Sequence, residues 1–397
     1  MENLNDDIST EKVKYNLTFS TGGKVIISGE HSVVCGKPAI AFCIDKHTKI
    51  NLIGYASSSK NNFFAKIKLL DINKEINLTK SEIIDALNNQ TSFGNNKDKY
   101  KIHIINVLMN IFSKLVLKSI NNEKISNFVN NNYFIASISS EIPIGYGLGS
   151  SAAYNVCIVN AICILINNLI DSKNTFSKEE ILKLSNDGEK IFHNGTPSGI
   201  DVSCCSNGGI LIFKNINDKK NLNISENNFF LKKIKYLLIN TNIKRNGGEF
   251  IKIVSDFKKN NLNIFNETIN NIEKVTNEII NLLSKENSDD NDCEKFFELI
   301  KENQIFLKKI CVSTNEIDNI INLLETNYFV GKIAGAGGGG FIISFCLKEK
   351  YNGLIKLLNE NKIEYMNINI SKEPAKLIVV LIFLNNKRMP HIQNFNY

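Results

Sequence analysis

Several signatures that would assign this 397-residue chain to a class are missing from it. None of its nine cysteines forms a C-x-x-C pair, and its five histidines show no i, i+3 or i, i+4 spacing, so zinc and thiol-redox motifs are absent. An odd number of such cysteines fits a reduced, cytoplasmic chain. The start, "MENLNDDISTEKVKY", has acidic residues and no apolar core, so neither a secretory signal nor an Arg-rich transit peptide is expected. The end, "HIQNFNY", carries no lipidation or peroxisomal tail. There is no basic stripe interleaved with aromatics: the net charge of +7 comes from 47 basic and 40 acidic residues, with lysines scattered among asparagines, and nucleic acid is not an expected partner. Nor is there an unbroken apolar run of the roughly 20 residues that a membrane span needs. The nearest, "AAYNVCIVNAICILINNLI", is interrupted by Asn155, Asn160, Asn167 and Asn168 and predicts a buried helix, with no membrane partner.

What is present suffices for packed cores. Hydrophobic residues make up 43% of the chain, and the length fits two domains. "KVIISGEHSVV", "PAIAFCID", "YFIASISSEI", "GGILIF", "IKYLLINTNI", "VGKIAGAGGGGFIISFC" and "KLIVVLIFL" read as strands. A helix is expected from Ser150 to about Leu169, and another in "SKEEILKLSNDGEKIFH", where Ser177 and Glu180 are spaced as a capping box. Long amphipathic helices follow in "IFNETINNIEKVTNEIINLLS" and "FFELIKENQIFLKKI", with "SKENSDDNDCEK" as a solvated loop between them. Polar "NINDKKNLNISENN", Asn215 to Asn228, is the expected linker between the two domains. Strands and helices in mixed order predict an α+β class rather than a doubly wound parallel sheet.

Four segments carry chemistry. In "EIPIGYGLGSSAAYNV" a strand, a loop of alternating glycines and a helix follow one another, so backbone N–H groups converge on an anion at a helix N-terminus. No lysine of its own follows, which excludes a Walker A loop, but Ser150 and Ser151 offer hydroxyls, one suited to Mg²⁺. "GTPSGID" sets Asp201 after a tight turn, and Glu189 precedes it on a helix. Phosphoryl transfer to an alcohol needs two such acidic groups, one near the hydroxyl and one for the metal. A turn or helix-cap role accounts for Asp201 equally well from local sequence alone. "AGAGGGGF" is either a hinge or a second backbone wall for phosphates. In "TGGKVIISGEHSVVCGKPA", Lys24 is a candidate for the missing positive charge, with Glu30 and His31 at the same strand end.

Taken together and in this order, these segments resemble the GHMP kinases, from Thr21 to about Phe341. "GLGSSAAYNV", "GTPSGID" and "KIAGAGGGG" each match a family motif, and "GEHSVV" resembles the mevalonate-phosphorylating members, where galactokinases continue Gly-Glu-His-Thr-Asp. The resemblance implies a two-domain GHMP kinase fold. Residues 1–228 would form an ATP-binding domain with a left-handed β-α-β unit, and residues 229–397 a ferredoxin-like domain, with the site in the cleft between them. It also implies ATP and Mg²⁺ as cofactors, and mevalonate as the acceptor in a step toward isoprenoid precursors. A homodimer is plausible on the same analogy.

By that resemblance Gly145, Tyr146, Gly147, Leu148, Gly149, Ser150 and Ser151 would wrap the triphosphate, with Ser140 nearby and Gly335, Gly337 and Gly338 closing the site. Ser151 and Glu189 would hold the metal. Asp201 would take or orient the hydroxyl proton beside Lys24, and Glu30, His31 and Thr241 would line the acceptor pocket. The chain departs from the pattern in "TGG" before Lys24, in Ala334 where a hydroxyl residue is usual, and in one extra residue between Glu189 and Asp201, placed in "HNGTPSG". A phosphate-bearing acceptor would call for arginines near the pocket, and Arg245 is the candidate. Residues that contact adenine cannot be read from "IKLLDINKE".

Overall fold

The computed structural model describes residues 13–57, 62–89, 98–170, 176–192, 197–244, 247–384 and 387–390. The terminal stretches, Gly195 and the extra residue of "HNGTPSG", and Arg245 lie outside the described residues. In chain order the first part contains β1 (Val13–Ser28), β2 (Ala39–Ala56), β3 (Phe63–Leu69), β4 (Lys74–Thr79), α1 (Lys80–Asn89), α2 (Lys99–Leu117), α3 (Asn122–Asn131) and β5 (Asn132–Ser140). It continues with α4 (Ser150–Ile170), α5 (Lys178–Phe192), α6 (Ile200–Asn207), β6 (Ile210–Asn215) and β7 (Asp218–Leu222). These strands form one sheet in the order β4-β3-β5-β2-β1, with the β6–β7 hairpin paired to the start of β2. Only β3 and β5 run parallel among its described pairs, and α1, α2 and α3 connect them. Helix α4 is apolar on all sides, as a helix must be to lie inside a core, and it packs across β1 and β2. Both α2 and α4 are long and apolar enough to cross a membrane, and α4 is largely enclosed here.

The second part contains α7 (Phe229–Lys233), β8 (Ile234–Asn240), α8 (Gly247–Asn260), α9 (Leu262–Leu283), α10 (Asp290–Lys309), α11 (Asn315–Thr326), β9 (Val330–Ile333), β10 (Phe341–Leu347), α12 (Tyr351–Glu360) and β11 (Tyr365–Asn367). Its antiparallel sheet has the order β11-β8-β10-β9, the arrangement of a ferredoxin-like unit. The last strands, β12 (Lys376–Leu384) and β13 (Lys387–Pro390), return to the first sheet, where β12 pairs antiparallel with β1. The apolar run "KLIVVLIFL" thereby covers an edge that β1 would otherwise expose. We propose a division at residue 228, with residues 376–390 joined to the first unit. One apolar core continues across both, from Phe19 and Leu52 to Phe230 and Phe345.

Several local expectations change. Lys24 does not open a strand: β1 begins at Val13 and runs through "TGG", with a register shift between Gly22 and Lys24. A Cβ on Gly22 would lie 2.3 Å from the Ile44 carbonyl oxygen, so the close strand approach requires glycine there. Glu30 and His31 lie in the turn after β1, not on its end, and His31 has a positive φ of 61°. The expected linker is partly structured, because its polar residues form edge strand β7. Helix α10 begins inside the expected loop "SKENSDDNDCEK", started by a capping box from Asp289 to Asp292. No disulfide joins the described cysteines.

Candidate active site

The loop between β5 and α4 turns through positive φ at Gly145, Gly147 and Gly149, at 87°, 83° and 76°. These angles favour glycine, and they bring the backbone round to the first turn of α4, where Ser150 and Ser151 begin the helix. The loop is pinned to β1, since Lys24 N–H donates to the Leu148 carbonyl at 2.9 Å. From the other sheet, the glycine loop between β9 and β10 meets it. A Cβ on Gly335 would stand 3.2 Å from Gly147 O, and one on Gly340 would stand 2.4 Å from Tyr146 O. The rings of Tyr146 and Phe341 pack 5.6 Å apart beside this seam. Two glycine loops therefore form one backbone-lined nest at the N-terminus of a long helix, an arrangement suited to phosphate.

Gly337 and Gly338 do not share in that contact. They face the opposite way, with Gly337 against Val312 and Gly338 against the Phe250 ring. The Gly338 N–H is already taken by the Val312 carbonyl at 2.9 Å, so Gly335 and Gly340 are the glycines at the seam.

Lys24 is buried in β1 and projects its ammonium toward α6. Its Nζ lies 3.1 Å from an Asp201 carboxylate oxygen and donates to the Gly147 carbonyl at 3.2 Å. Asp201 stands in the first turn of α6, whose N-cap, Gly199, has a φ of 90°. The expected meeting of a carboxylate, a lysine remote in sequence and the glycine loop is thus present. A Cβ on Gly149 would fall 2.9 Å from Lys24 Cγ, so the lysine stem runs directly under the loop.

Ser151 and Glu189 also meet. Ser151 Oγ donates to Glu189 Oε2 at 3.2 Å, and the Asn155 amide, one turn along α4, donates to Glu189 Oε1 at 2.7 Å. Asn155 Oδ1 in turn accepts a hydrogen bond from His103 Nε2 of α2 at 2.6 Å. The His103 imidazole is fully buried against the rings of Tyr154 and Phe192, and burial pushes its pKa down to about 4. A hydroxyl and one carboxylate are hard oxygen donors, the set that Mg²⁺ uses when substrate phosphates and water fill its other positions. Ser140 shares a 2.7 Å hydrogen bond with Thr48.

Of the three residues expected at the acceptor, His31 sits in the cavity, donating from Nε2 to the Ala336 carbonyl at 3.0 Å. Glu30 also borders the cavity, but its carboxylate is held in a buried ion pair with Lys332 and accepts from Asn303 Nδ2 at 3.2 Å. Burial lowers the Lys332 pKa against the opposing pull of Glu30. Thr241 does not line the cavity. Its hydroxyl donates to the Gly340 carbonyl at 2.8 Å, which ties the glycine loop to β8.

Two cavities flank the nest. The larger, about 430 Å³, is bordered by Lys24, His31, Glu189, Ile200, Asp201 and Ala336, with Val33, Val254, Phe265 and Lys258 farther round the wall. No arginine is among its described lining residues. The smaller, about 100 Å³, is apolar and lies beside Ser140, Ser150 and Ser151, between Leu69, Ile72, Tyr154 and Phe192. Part of "IKLLDINKE", the stretch that was illegible in sequence, forms one of its walls. Sequence reasoning also missed Asn155, His103 and Lys332, polar residues set within largely apolar elements. It missed Lys244 as well, whose Cε would lie 3.6 Å from a Cβ on Gly145.

Comparison with known proteins agrees with this geometry. The model of the GHMP kinases N terminal domain matches residues 110–209. The mevalonate kinase of Methanocaldococcus jannaschii is 31% identical over 353 residues, covering 88% of this chain and 98% of that protein. The mevalonate kinase of Arabidopsis thaliana is 27% identical over 344 residues, 81% of this chain and 88% of the relative. The crystal structure of the Methanococcus jannaschii mevalonate kinase superposes with a TM-score of 0.64 at 27% identity, covering 89% of this chain and 98% of that one. With its glycine nest, its Lys24–Asp201 pair and this similarity along nearly its whole length, the chain belongs to the GHMP kinase family, in its mevalonate kinase branch.

Proposed function

We propose that this kinase transfers the γ-phosphoryl group of ATP to the 5-hydroxyl of mevalonate, releasing ADP and 5-phosphomevalonate, as a cytoplasmic step toward isoprenoid precursors. The observation that carries the reading is the Lys24–Asp201 pair, 3.1 Å apart on the wall of the larger cavity and under the glycine loop. The triphosphate lies in the nest formed by Gly145 to Ser151 and by Gly335, and its base enters the small apolar cavity beside Ser140. The acceptor occupies the larger cavity. Its apolar residues, Ile26, Val33 and Ile200, suit a branched aliphatic chain, and Lys258 and His31 suit a carboxylate.

Asp201 accepts, or orients, the proton of the attacking hydroxyl. Lys24 holds that carboxylate in place and carries positive charge toward the transferring group, and Lys244 adds a further cation beside Gly145. Ser151 and Glu189 would hold Mg²⁺, which would neutralise phosphate charge during the transfer. An unphosphorylated acceptor is favoured because the described cavity wall has no arginine for a second phosphate. ADP release measured with mevalonate, phosphomevalonate, galactose and homoserine in parallel tests the reading. Mevalonate is expected to give the highest kcat/KM by at least tenfold, and a higher value for any other acceptor would overturn it.

A further inference from the structure

The donor set beside the nest is not self-supporting. Glu189 Oε1 faces the interior of three packed helices, where it accepts a hydrogen bond from Asn155 at 2.7 Å. The same amide nitrogen donates to the Ser151 carbonyl at 2.9 Å, so both of its protons are committed. That leaves Asn155 Oδ1 as acceptor and makes His103 Nε2 the donor in their 2.6 Å contact. A flipped amide would turn its oxygen toward Glu189 Oε1 and the Ser151 carbonyl and lose both of those bonds.

A second observation points the same way. Gly188 lies inside α5, directly before Glu189, where a glycine costs roughly 1 kcal/mol relative to alanine. A Cβ there would stand 2.1 Å from Asn155 Oδ1 and 3.1 Å from His103 Nε2. The backbone of α5 is thus left bare at the one place where amide and imidazole press against it.

We infer that Asn155, oriented by His103 and admitted by Gly188, is a positioning residue that aims the Glu189 carboxylate, with Ser151, at the metal. The inference rests on the reading of Glu189 as a metal ligand. Outer partners of this kind govern how well a ligand holds its ion, and their removal typically costs about 10–100-fold in metal affinity.

The test titrates Mn²⁺ into the full-length protein saturated with ADP and follows free Mn²⁺ by electron paramagnetic resonance. Asn155→Ala is expected to weaken Mn²⁺ binding by at least about tenfold while metal-free ADP binding stays within twofold. Asn160→Ala is the structural control, because among the described residues that buried amide on the same helix donates to its own backbone alone, at Val156 O. It is expected to lower Tm and leave Mn²⁺ affinity unchanged. His103→Phe removes the donor to Asn155 and is expected to weaken Mn²⁺ binding by roughly threefold, whereas His103→Gln, which keeps a donor, restores most of it. That pair decides the matter if Asn155→Ala does not fold. Near-parental Mn²⁺ affinity in Asn155→Ala or His103→Phe, with affinity lost in Glu189→Gln, would overturn the positioning role alone. Parental affinity in Glu189→Gln would overturn the metal reading as well.

Discussion

At the scale of single residues, the proposed phosphoryl transfer rests on very few side chains. Asp201 is the carboxylate that Lys24 contacts at 3.1 Å under the glycine loop, and Asp201→Asn keeps its shape while removing its capacity to take a proton. General-base contributions are commonly about 10²–10⁴-fold, so kcat is expected to fall by that factor while ATP affinity changes by less than about twofold. Pre-steady-state phosphoryl transfer together with equilibrium nucleotide binding measures both, and a kcat within tenfold of the parent removes the base role from Asp201. Lys24, Asp201, Ser151 and Glu189 were legible because chemistry limits the residue types that can serve and because glycine-rich motifs flag their positions. Asn155 and Lys332 were not. Each is one polar residue in an apolar run, and sequence cannot tell an interruption from a buried partner.

At the scale of elements, α4 as a whole and the cap of α5 were readable. The capping box of α5 forms as its spacing predicts, with Ser177 N–H donating to Glu180 Oε2 at 2.8 Å and Glu180 N–H to Ser177 Oγ at 3.2 Å. Helix α6 was not readable, because eight residues are too few to display a period. The packing of α2 on α4 and α5 also sets a pH dependence. His103 stays neutral when folded down to a pH of about 4, while its ordinary value is 6.5. Between those values the unfolded chain binds a proton that the folded chain does not, so stability falls as pH drops through the window. At about 1.4 kcal/mol per unit, the loss is on the order of 3 kcal/mol. Urea unfolding at pH 4.5 and 6.5 is expected to show a smaller difference for His103→Gln than for the parent, and equal differences would place the titration elsewhere.

At the scale of the whole molecule, a buried polar network joins the two sheets. Glu30 follows β1, Lys332 lies in β9 and Asn303 in α10, while Ser28 donates to Asn303 Oδ1 at 2.9 Å and shares a 2.7 Å bond with Thr276 of α9. Removing one partner of a buried ion pair leaves the other charge stranded, typically costing about 3–5 kcal/mol. Lys332→Met is expected to lose that much in urea unfolding. The double variant Glu30→Gln, Lys332→Met should recover part of it, and full parental stability in the single variant would show that the pair does not hold the sheets together.

By itself the sequence determined the family, the α+β class, most strands and long helices, and it singled out the glycine loop, Lys24 and Asp201 as candidates that the structure brings together. Those depend on local periodicity and on motifs whose chemistry tolerates few substitutions. Only the tertiary structure decided which glycines meet across the seam, that Glu30 is bound to Lys332, that the final strand β12 pairs with β1, and that three helices converge behind Glu189. Each of these is a contact between segments distant in the chain, and such contacts are selected by the packing of the whole core rather than by any local stretch.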